Sequence, residues 1–471
     1  MRRAAGTVCA VLALSGCATF SPDGGLDRVG ELTRERVGQA PALQRSADDV
    51  DRASARVDAL LRRGPLEAES AVELAFLNNR GLQSALSNLS IAEADLVRAG
   101  RLANPSFAFG RLREAGGVVE IERSVLFNVL NLLTLPLASD LERQRFEQVQ
   151  LSAAQDAVVL AAEVRRAYVV ALAAQELVRY RQQVREAADA SNELARRMVQ
   201  AGNFPKLTQM REQAFYADAT AELARAQHRA TADRERLVRL LGLSGAQSAA
   251  VTLPERLPDL PNAPDESRGA EQRALAQRLD VRLARHAAAQ TARSLGLTRA
   301  TRFINVLELG YQNQSVSGQP RANGYEIELE LPLFDFGSTR ARRAEAIYMQ
   351  ALHRAAQAGV NAQSEVRESY SAYRTAYDLA RHYRDEVVPL KKRISEENLL
   401  RYNGMLIGVF ELLADARAQI TGVTGYVEAL RDFWIADADL KNAVSGGSPG
   451  GRAPAANPSP VAGSSADGAA H

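Results

Sequence analysis

The chain repeats itself. Glu163-Val164-Arg165 returns as Glu365-Val366-Arg367, and at that offset of 202 residues Tyr168 meets Tyr370 and Gly202 meets Gly404. Leu74-Ala75 returns as Leu275-Ala276 at an offset of 201, and Glu120-Ile121-Glu122 as Glu326-Ile327-Glu328 at 206. Several matches in the same order at nearly one offset indicate a duplicated unit, so the fold must be one that is built twice.

Each half follows one plan. Residues 66–101 read as a helix, followed by two short strands, "FAFGRL" and "GVVEIERSVL", around Gly116-Gly117. A long helix is expected over about 138–201, a break at Gly202-Asn203-Phe204-Pro205, and a second helix to about 242. In the second half residues 272–300 read as helix, and "FINVLELGYQNQSV" and "GYEIELELPLF" as strands around "SGQPRANG". Helices follow over about 338–402 and 409–443, broken near Gly404. The strand at 324–334 is the plainest. Tyr325, Ile327, Leu329 and Leu331 alternate with Glu326, Glu328 and Glu330, giving one oily and one charged face.

A helix of about 60 residues spans roughly 90 Å, longer than most globular domains hold. Val158, Val164, Tyr168, Leu172, Val184, Leu194 and Met198 give it an incomplete apolar stripe with many Ala between, which fits coiled-coil-like packing of close helices. No stretch beyond the N-terminus holds about 18 uninterrupted apolar residues, so no membrane-spanning helix is expected. Short alternating strands escape that test. Four strands per chain cannot close a barrel, and open edges in a bilayer leave unpaired backbone groups. If the strands span a membrane, the chain must oligomerise. Two copies supply about eight strands and three about twelve, and closed barrels begin near eight.

The N-terminus bears on the compartment. "MRRAAGTVCAVLALSGCATF" has Arg2 and Arg3, an apolar run from Ala4 to Leu14 and then small residues, the layout of a secretory signal. Leu14-Ser15-Gly16-Cys17 resembles a bacterial lipobox. That resemblance implies a signal peptide at 1–16, a Cys17 that is acylated (a palmitate-type modification), and a lipidated segment at 17–65. Ala18, in place of an Asp, implies sorting to the outer membrane. The only other cysteine, Cys9, leaves with the signal, so no disulfide is expected. The chain has 58 basic and 56 acidic residues; loss of Arg2 and Arg3 balances them, and nothing points to nucleic acid.

Residues 18–65 read as an extended or partly helical lead segment. Four prolines break any helix across 251–268, so a linker is expected at 249–270 between repeats at 66–248 and 271–445. The Gly/Pro/Ser/Ala composition of 446–471 reads as a disordered tail.

With this order in hand, the sequence resembles the TolC-like outer-membrane efflux proteins, in their lipoprotein subgroup, over about residues 66–444. The carriers are the duplicated helix–hairpin–helix order, "GYEIELELPLFDFG" leading into a long helix, "AGN" at 201–203 and "RYNGMLIGVFELLADAR" at 401–417. The resemblance implies a mainly α chain with a small β part, in which long helical hairpins form a periplasmic tunnel. Its four strands complete a barrel in a homotrimer set in outer-membrane lipid. It implies a passive exit duct that docks a periplasmic adaptor protein and an inner-membrane pump. Two departures stand out. Gly404 comes one place early after Arg401-Tyr402, and Ile407 stands where the family has an Arg.

The site residues follow. Glu120, Glu122, Glu326, Glu328 and Glu330 are expected to line the lumen, with Val119 and Ile121 outward, because the reverse would set carboxylates in hydrocarbon. Gly202, Asn203, Phe204, Gly404, Met405 and Leu406 are expected at adaptor-contacting tips, where Leu207 and Val409 add apolar surface. The resemblance makes Tyr402, Glu411 and Asp415 candidate gate residues. No catalytic residue, metal site or cofactor is expected. The five His are scattered, none pairs with a Cys, and no Gly-rich phosphate loop occurs. The competing reading is a lipid-anchored periplasmic coiled-coil scaffold that is not a pore. It explains the helices and Cys17, and leaves the four amphipathic strands unexplained.

Overall fold

The computed structural model describes residues 19–113, 115–202, 205–266, 269–300, 306–330 and 334–447. Residues 1–18, Cys17 among them, and nearly all of 446–471 lie outside them.

The lead segment is more helical than its sequence indicates. Helices α1 (Leu26–Val37) and α2 (Ala47–Leu61) occupy most of it. Ser46 starts α2 with a capping box, its hydroxyl accepting from the Asp49 backbone N–H at 3.2 Å. Val29, Leu32, Val57 and Leu60 recur at helical spacing and are buried. Tertiary packing of those faces makes helices of a segment whose polar surface reads as irregular.

Helices α3 (Ala68–Asn78) and α4 (Arg80–Ala99) come next. Asn79 separates them: its side chain accepts from the Leu82 N–H at 2.9 Å and donates to the Leu240 carbonyl at 2.8 Å. Strands β1 (Ser106–Arg113) and β2 (Val119–Asn128) lead into α5 (Val129–Gln200), a single rod of 72 residues, roughly 108 Å long. It begins before the expected residue 138, because Asn128 caps it by accepting from the Asn131 N–H at 2.8 Å. Pro136 therefore lies inside the helix. Helix α6 (Lys206–Leu241) returns along α5, and the short α7 (Gly245–Ala249) follows.

The second repeat runs α8 (Ala270–Gln277), α9 (Leu279–Ala300), β3 (Val306–Val316), β4 (Ala322–Glu330) and α10 (Ser338–His382). A π-helical turn, Tyr383–Val387, joins α10 to α11 (Val388–Asn403), and α12 (Val409–Ser445) completes the hairpin. Among the described residues no helix is long and apolar enough to cross a membrane.

Both repeats contribute to one core, including Leu74, Phe76, Leu172, Leu237, Tyr377 and Phe433. The duplication persists in side-chain contacts. Arg165 pairs with Glu69 at 2.8 Å, and 202 residues on Arg367 pairs with Glu271 at 3.1 Å. Val164 and Val366 are both buried.

The proline-rich stretch is a packed belt. Leu257 and Leu260 are buried, Trp434 donates to the Pro258 carbonyl at 3.0 Å, and the Tyr377 hydroxyl donates to that of Asn262 at 2.9 Å. Proline removes the helical option there, and the freed carbonyls are taken up by side chains of the helices beneath.

Candidate functional site

The four strands form one antiparallel sheet in the order β1-β2-β3-β4, so β1 and β4 have open outer edges. Residues paired directly across an antiparallel ladder point to the same face. Glu122 pairs with Gln314 and Gly110, Gly310 with Glu326 and Leu126, and Glu308 with Glu328. One face therefore carries Glu120, Glu122, Glu308, Glu326, Glu328 and Glu330, with Gln312, Gln314 and Asn128 between them. Gln314 donates to Glu120 and Gln312 to Glu326, and Asn128 donates to Glu308 at 3.3 Å. At Gly310 an added Cβ would lie 3.4 Å from the Cβ of Glu326, so the glycine leaves room for its neighbour's carboxylate.

The other face carries Phe107, Val119, Ile121, Val125, Phe127, Leu309, Tyr311, Tyr325, Ile327 and Leu329. Much of it is bare: Tyr325 is 83% and Ile327 61% exposed. The expected split of acids and apolar residues between two faces is thus present in the register. Leu331 lies outside the described residues. Sequence reasoning left out Glu308, Gln312 and Gln314, although "LELGYQNQ" alternates as "YEIELE" does.

At the far end of the rods lie two turns. In the first, Gly202 takes the left-handed conformation, φ 77°, just past α5, and its N–H donates to the Val199 carbonyl at 3.0 Å. Asn203 and Phe204 lie outside the described residues. In the second turn the left-handed residue is Met405, φ 59°, while Gly404 has φ −78°. Met405 donates to Tyr402 at 2.9 Å and Leu406 to Arg401 at 2.8 Å, which closes the helix in a Schellman motif. The glycine that comes one place early leaves a side-chain-bearing residue in the strained position. Met405 is 94% and Leu406 75% exposed.

Tyr402, Glu411 and Asp415 are not joined by any hydrogen bond or ion pair among the described residues. Tyr402 and Glu411 are exposed, and Asp415 Oδ2 is buried without a hydrogen-bond partner. The polar contact that does tie the two hairpins together near their tips is another one. Glu212 of α6 is buried, accepts from the Ser191 hydroxyl of α5 at 2.6 Å and forms an ion pair with Arg417 of α12. The Arg417 guanidinium lies 3.7 Å from the centre of the Phe215 ring. Sequence reasoning missed this pair because it joins residues 205 positions apart. No group of His, Cys, Asp and Glu among the described residues has the arrangement of a metal site.

With this geometry established, the chain can be set beside known proteins. Residues 271–393 match the family model of the outer membrane efflux protein. No curated protein matches the chain. Among solved structures, a membrane protein from Pseudomonas aeruginosa superposes with a TM-score of 0.68 at 21% identity, over 83% of this chain and 94% of that one. The outer membrane protein VceC of Vibrio cholerae gives 0.65 at 16% identity, over 85% and 99%. The open state of the Neisseria gonorrhoeae outer membrane channel MtrE gives 0.65 at 18%, over 81% and 89%. The chain therefore has the TolC-like fold, mainly helical with one small antiparallel sheet. The family model is that of an outer membrane efflux protein, and MtrE is described as an outer membrane channel.

Proposed function

We propose that the chain is one protomer of an outer-membrane exit duct in an efflux or export system. The observation that carries this reading is the sheet: four strands with two open edges, one face of acids and amides, the other of exposed apolar side chains. Such edges are not viable in lipid unless other copies pair with them. Three copies give about twelve strands, within the range of closed barrels. The acidic face then lines the water-filled lumen and the apolar face meets lipid. The rods of both repeats, 66–248 and 271–445, continue the barrel as a periplasmic tunnel. The duct is passive; a periplasmic adaptor at the tips links it to an inner-membrane pump that supplies the energy. The solved structures named above support this reading through their fold, VceC also through its description as an outer membrane protein and MtrE as an outer membrane channel.

The scaffold alternative leaves the two-faced sheet without a role. Trimer extraction from outer membranes and conductance in a planar bilayer decide between them; a monomer without conductance rejects the duct. Replacing Glu308, Glu326, Glu328 and Glu330 by Gln lowers cation over anion permeability if those acids ring the lumen. Water-confined thiol reagents that label Cys at 327 but not at 326 reverse the facing. Cys17 is proposed as the acylated residue, and Cys17→Ser abolishes fatty-acid labelling. Cysteines at 203 and 403 crosslink to the adaptor; crosslinks only from the belt near Pro258 reject the tips as its docking site.

A further inference from the structure

The outward face of the sheet is not uniformly apolar. Its register places Arg111, Arg113 and Arg123 among the aromatic and aliphatic side chains. Arg111 pairs with Ile121, Arg113 with Val119, and Arg123 with both Phe109 and Asn313. All three lie toward the β1–β2 and β3–β4 turns, the end remote from the helical rods. Asn313 pairs in turn with Asn323, so one cross-strand row runs Phe109, Arg123, Asn313, Asn323. The row is bonded along its length. Arg123 donates to Asn313 at 2.9 Å and Asn313 to Asn323 at 2.6 Å, and the Tyr311 hydroxyl donates to Asn323 at 3.1 Å. The Arg123 guanidinium also lies 6.0 Å from the centre of the Phe109 ring.

On the helix side of this row the outward face is apolar: Phe107, Val125, Tyr311 and Tyr325, then Phe127, Leu309 and Ile327, then Leu307 and Leu329. Exposed Leu132, Leu133, Phe334 and Phe336 extend the apolar zone past the strands. The polar row thus stands at one border of that zone.

We propose that Arg111, Arg113 and Arg123 bind the phosphate groups of lipid headgroups in the outer leaflet. This rests on the outer-membrane reading above. An arginine at the midplane of a barrel costs about 2–4 kcal/mol and at the interface about 0–1 kcal/mol, so the interface is the level that tolerates three of them. Among the described residues no acid shares their face and no carboxylate pairs with any of the three; the acids of the sheet are all on the opposite face. Among the described residues, positive charge therefore faces outward with no acid on the same face, at headgroup height. The guanidinium suits phosphate because its fork donates two parallel hydrogen bonds. Asn313 and Phe109 hold that of Arg123 in place, which lessens the entropy lost on binding. Oligomerisation repeats the three arginines round the barrel and makes a belt of them.

The test uses the purified full-length protein in neutral detergent. Native mass spectrometry counts the lipids retained after incubation with bis-phosphorylated lipid A, with its dephosphorylated form, or with phosphatidylcholine. Wild type retains the bis-phosphorylated lipid about tenfold better than the dephosphorylated one. Arg111→Gln/Arg113→Gln/Arg123→Gln removes that preference, and the triple Lys variant keeps part of it. Equal retention of the two forms of lipid A by wild type overturns the proposal, as does an unchanged preference in the Gln variant. Trimer mass and conductance are read on the same samples. A conducting trimer without the preference rejects the arginine belt alone, whereas a protein that forms no conducting trimer rejects the duct reading and the belt with it. If the triple variant does not assemble, Arg111→Gln and Arg113→Gln are compared singly, since both side chains are exposed; each lowers the preference, and no change in either rejects the proposal.

Discussion

In the first hairpin, α5 runs from Val129 to Gln200 without a break, whereas in the second the matching rod is interrupted by a π-helical turn at Tyr383–Val387. The cause is Pro389, two residues past that turn. Proline cannot donate to the carbonyl four residues back and its ring crowds that carbonyl, so the helix takes in an extra residue to relieve the contact. The neighbouring helix makes room. Tyr383 lies over Gly425, where an added Cβ would sit 2.7 Å from its ring, and Lys391 lies over Gly422. Past the extra residue the offset becomes 203, as the starts of the return helices at Lys206 and Val409 show, and the first hairpin has Glu186 for Pro389, Ala219 for Gly422 and Glu222 for Gly425. Duplication therefore kept the rod, and the second copy acquired a local irregularity with its own accommodating surface. The two tips differ in the same way, one closed by a left-handed glycine and the other by a left-handed methionine. We infer that the second hairpin is the softer of the two; hydrogen exchange no faster across 381–391 than across 179–189 rejects that.

The largest effect is expected at the contact that joins the hairpins. Arg417→Ala leaves the buried carboxylate of Glu212 with only the Ser191 hydroxyl. Loss of one partner of a fully buried pair costs about 3–5 kcal/mol, and partial exposure of Arg417 brings this to about 2–3 kcal/mol. Hydrogen exchange near both tips should accelerate accordingly. Glu212→Gln, which keeps a hydrogen-bonding group without the charge, should cost less. Equal exchange in wild type and Arg417→Ala means the pair does not hold the hairpins together.

Next is the seat of the π turn. Gly425→Leu forces a bulky side chain into the Tyr383 ring, where even a Cβ would sit 2.7 Å away. Overpacking of this kind costs about 1–3 kcal/mol. Tyr383→Ala in the same chain should recover part of that loss, since it removes the ring that is struck. Failure of the second change to rescue the first places the strain elsewhere.

How far these differences could be read from sequence depends on their range. Helix and strand periods are local, so the rods and all four strands were legible, to within a residue or two for the strands described in full. The two-faced sheet was legible as well, because alternation fixes which residues share a face. Glu308, Gln312 and Gln314 were overlooked, within a strand that shows the same alternation. The lead segment was not, since packing of Val29 and Leu32 against the core, rather than propensity, makes it helical. The start of α5 depends on a cap at Asn128 that competes with Pro136, and the sequence does not rank the two. The expected gate set, Tyr402, Glu411 and Asp415, was carried over from a family pattern, whereas the buried Glu212–Arg417 pair arises from packing between distant helices. The offset glycine was visible, but not that the left-handed conformation would pass to Met405.

The tips give the next contrast. Gly202→Ala puts a Cβ on a left-handed residue, at a cost of about 1–2 kcal/mol. Met405→Gly does the opposite and should stabilise the second tip by up to about 1 kcal/mol, with slower exchange in the last turn of α11. Should the two substitutions shift stability in the same direction, the assignment of the left-handed residue at one tip is wrong.

The smallest effect discriminates most sharply between the tips, because its sign depends on the conformation at a single residue. Gly404 aligns with Gly202 in the repeat, and equivalence by sequence alone makes Gly404→Ala as harmful as Gly202→Ala. The geometry says otherwise. With φ −78° Gly404 is in a region open to any residue. An added Cβ would meet the Arg401 and Leu400 carbonyl oxygens at 3.5 Å and Leu406 Cγ at 3.7 Å, all ordinary contacts. Alanine there removes conformational freedom from the unfolded chain without straining the folded one, a gain of about 0.5 kcal/mol. Exchange protection of the Met405 and Leu406 amides, which close the α11 terminus, should therefore rise slightly in Gly404→Ala and fall in no case. A loss of about 1 kcal/mol instead would mean that the strained position belongs to the glycine after all, and that the two tips are closed alike.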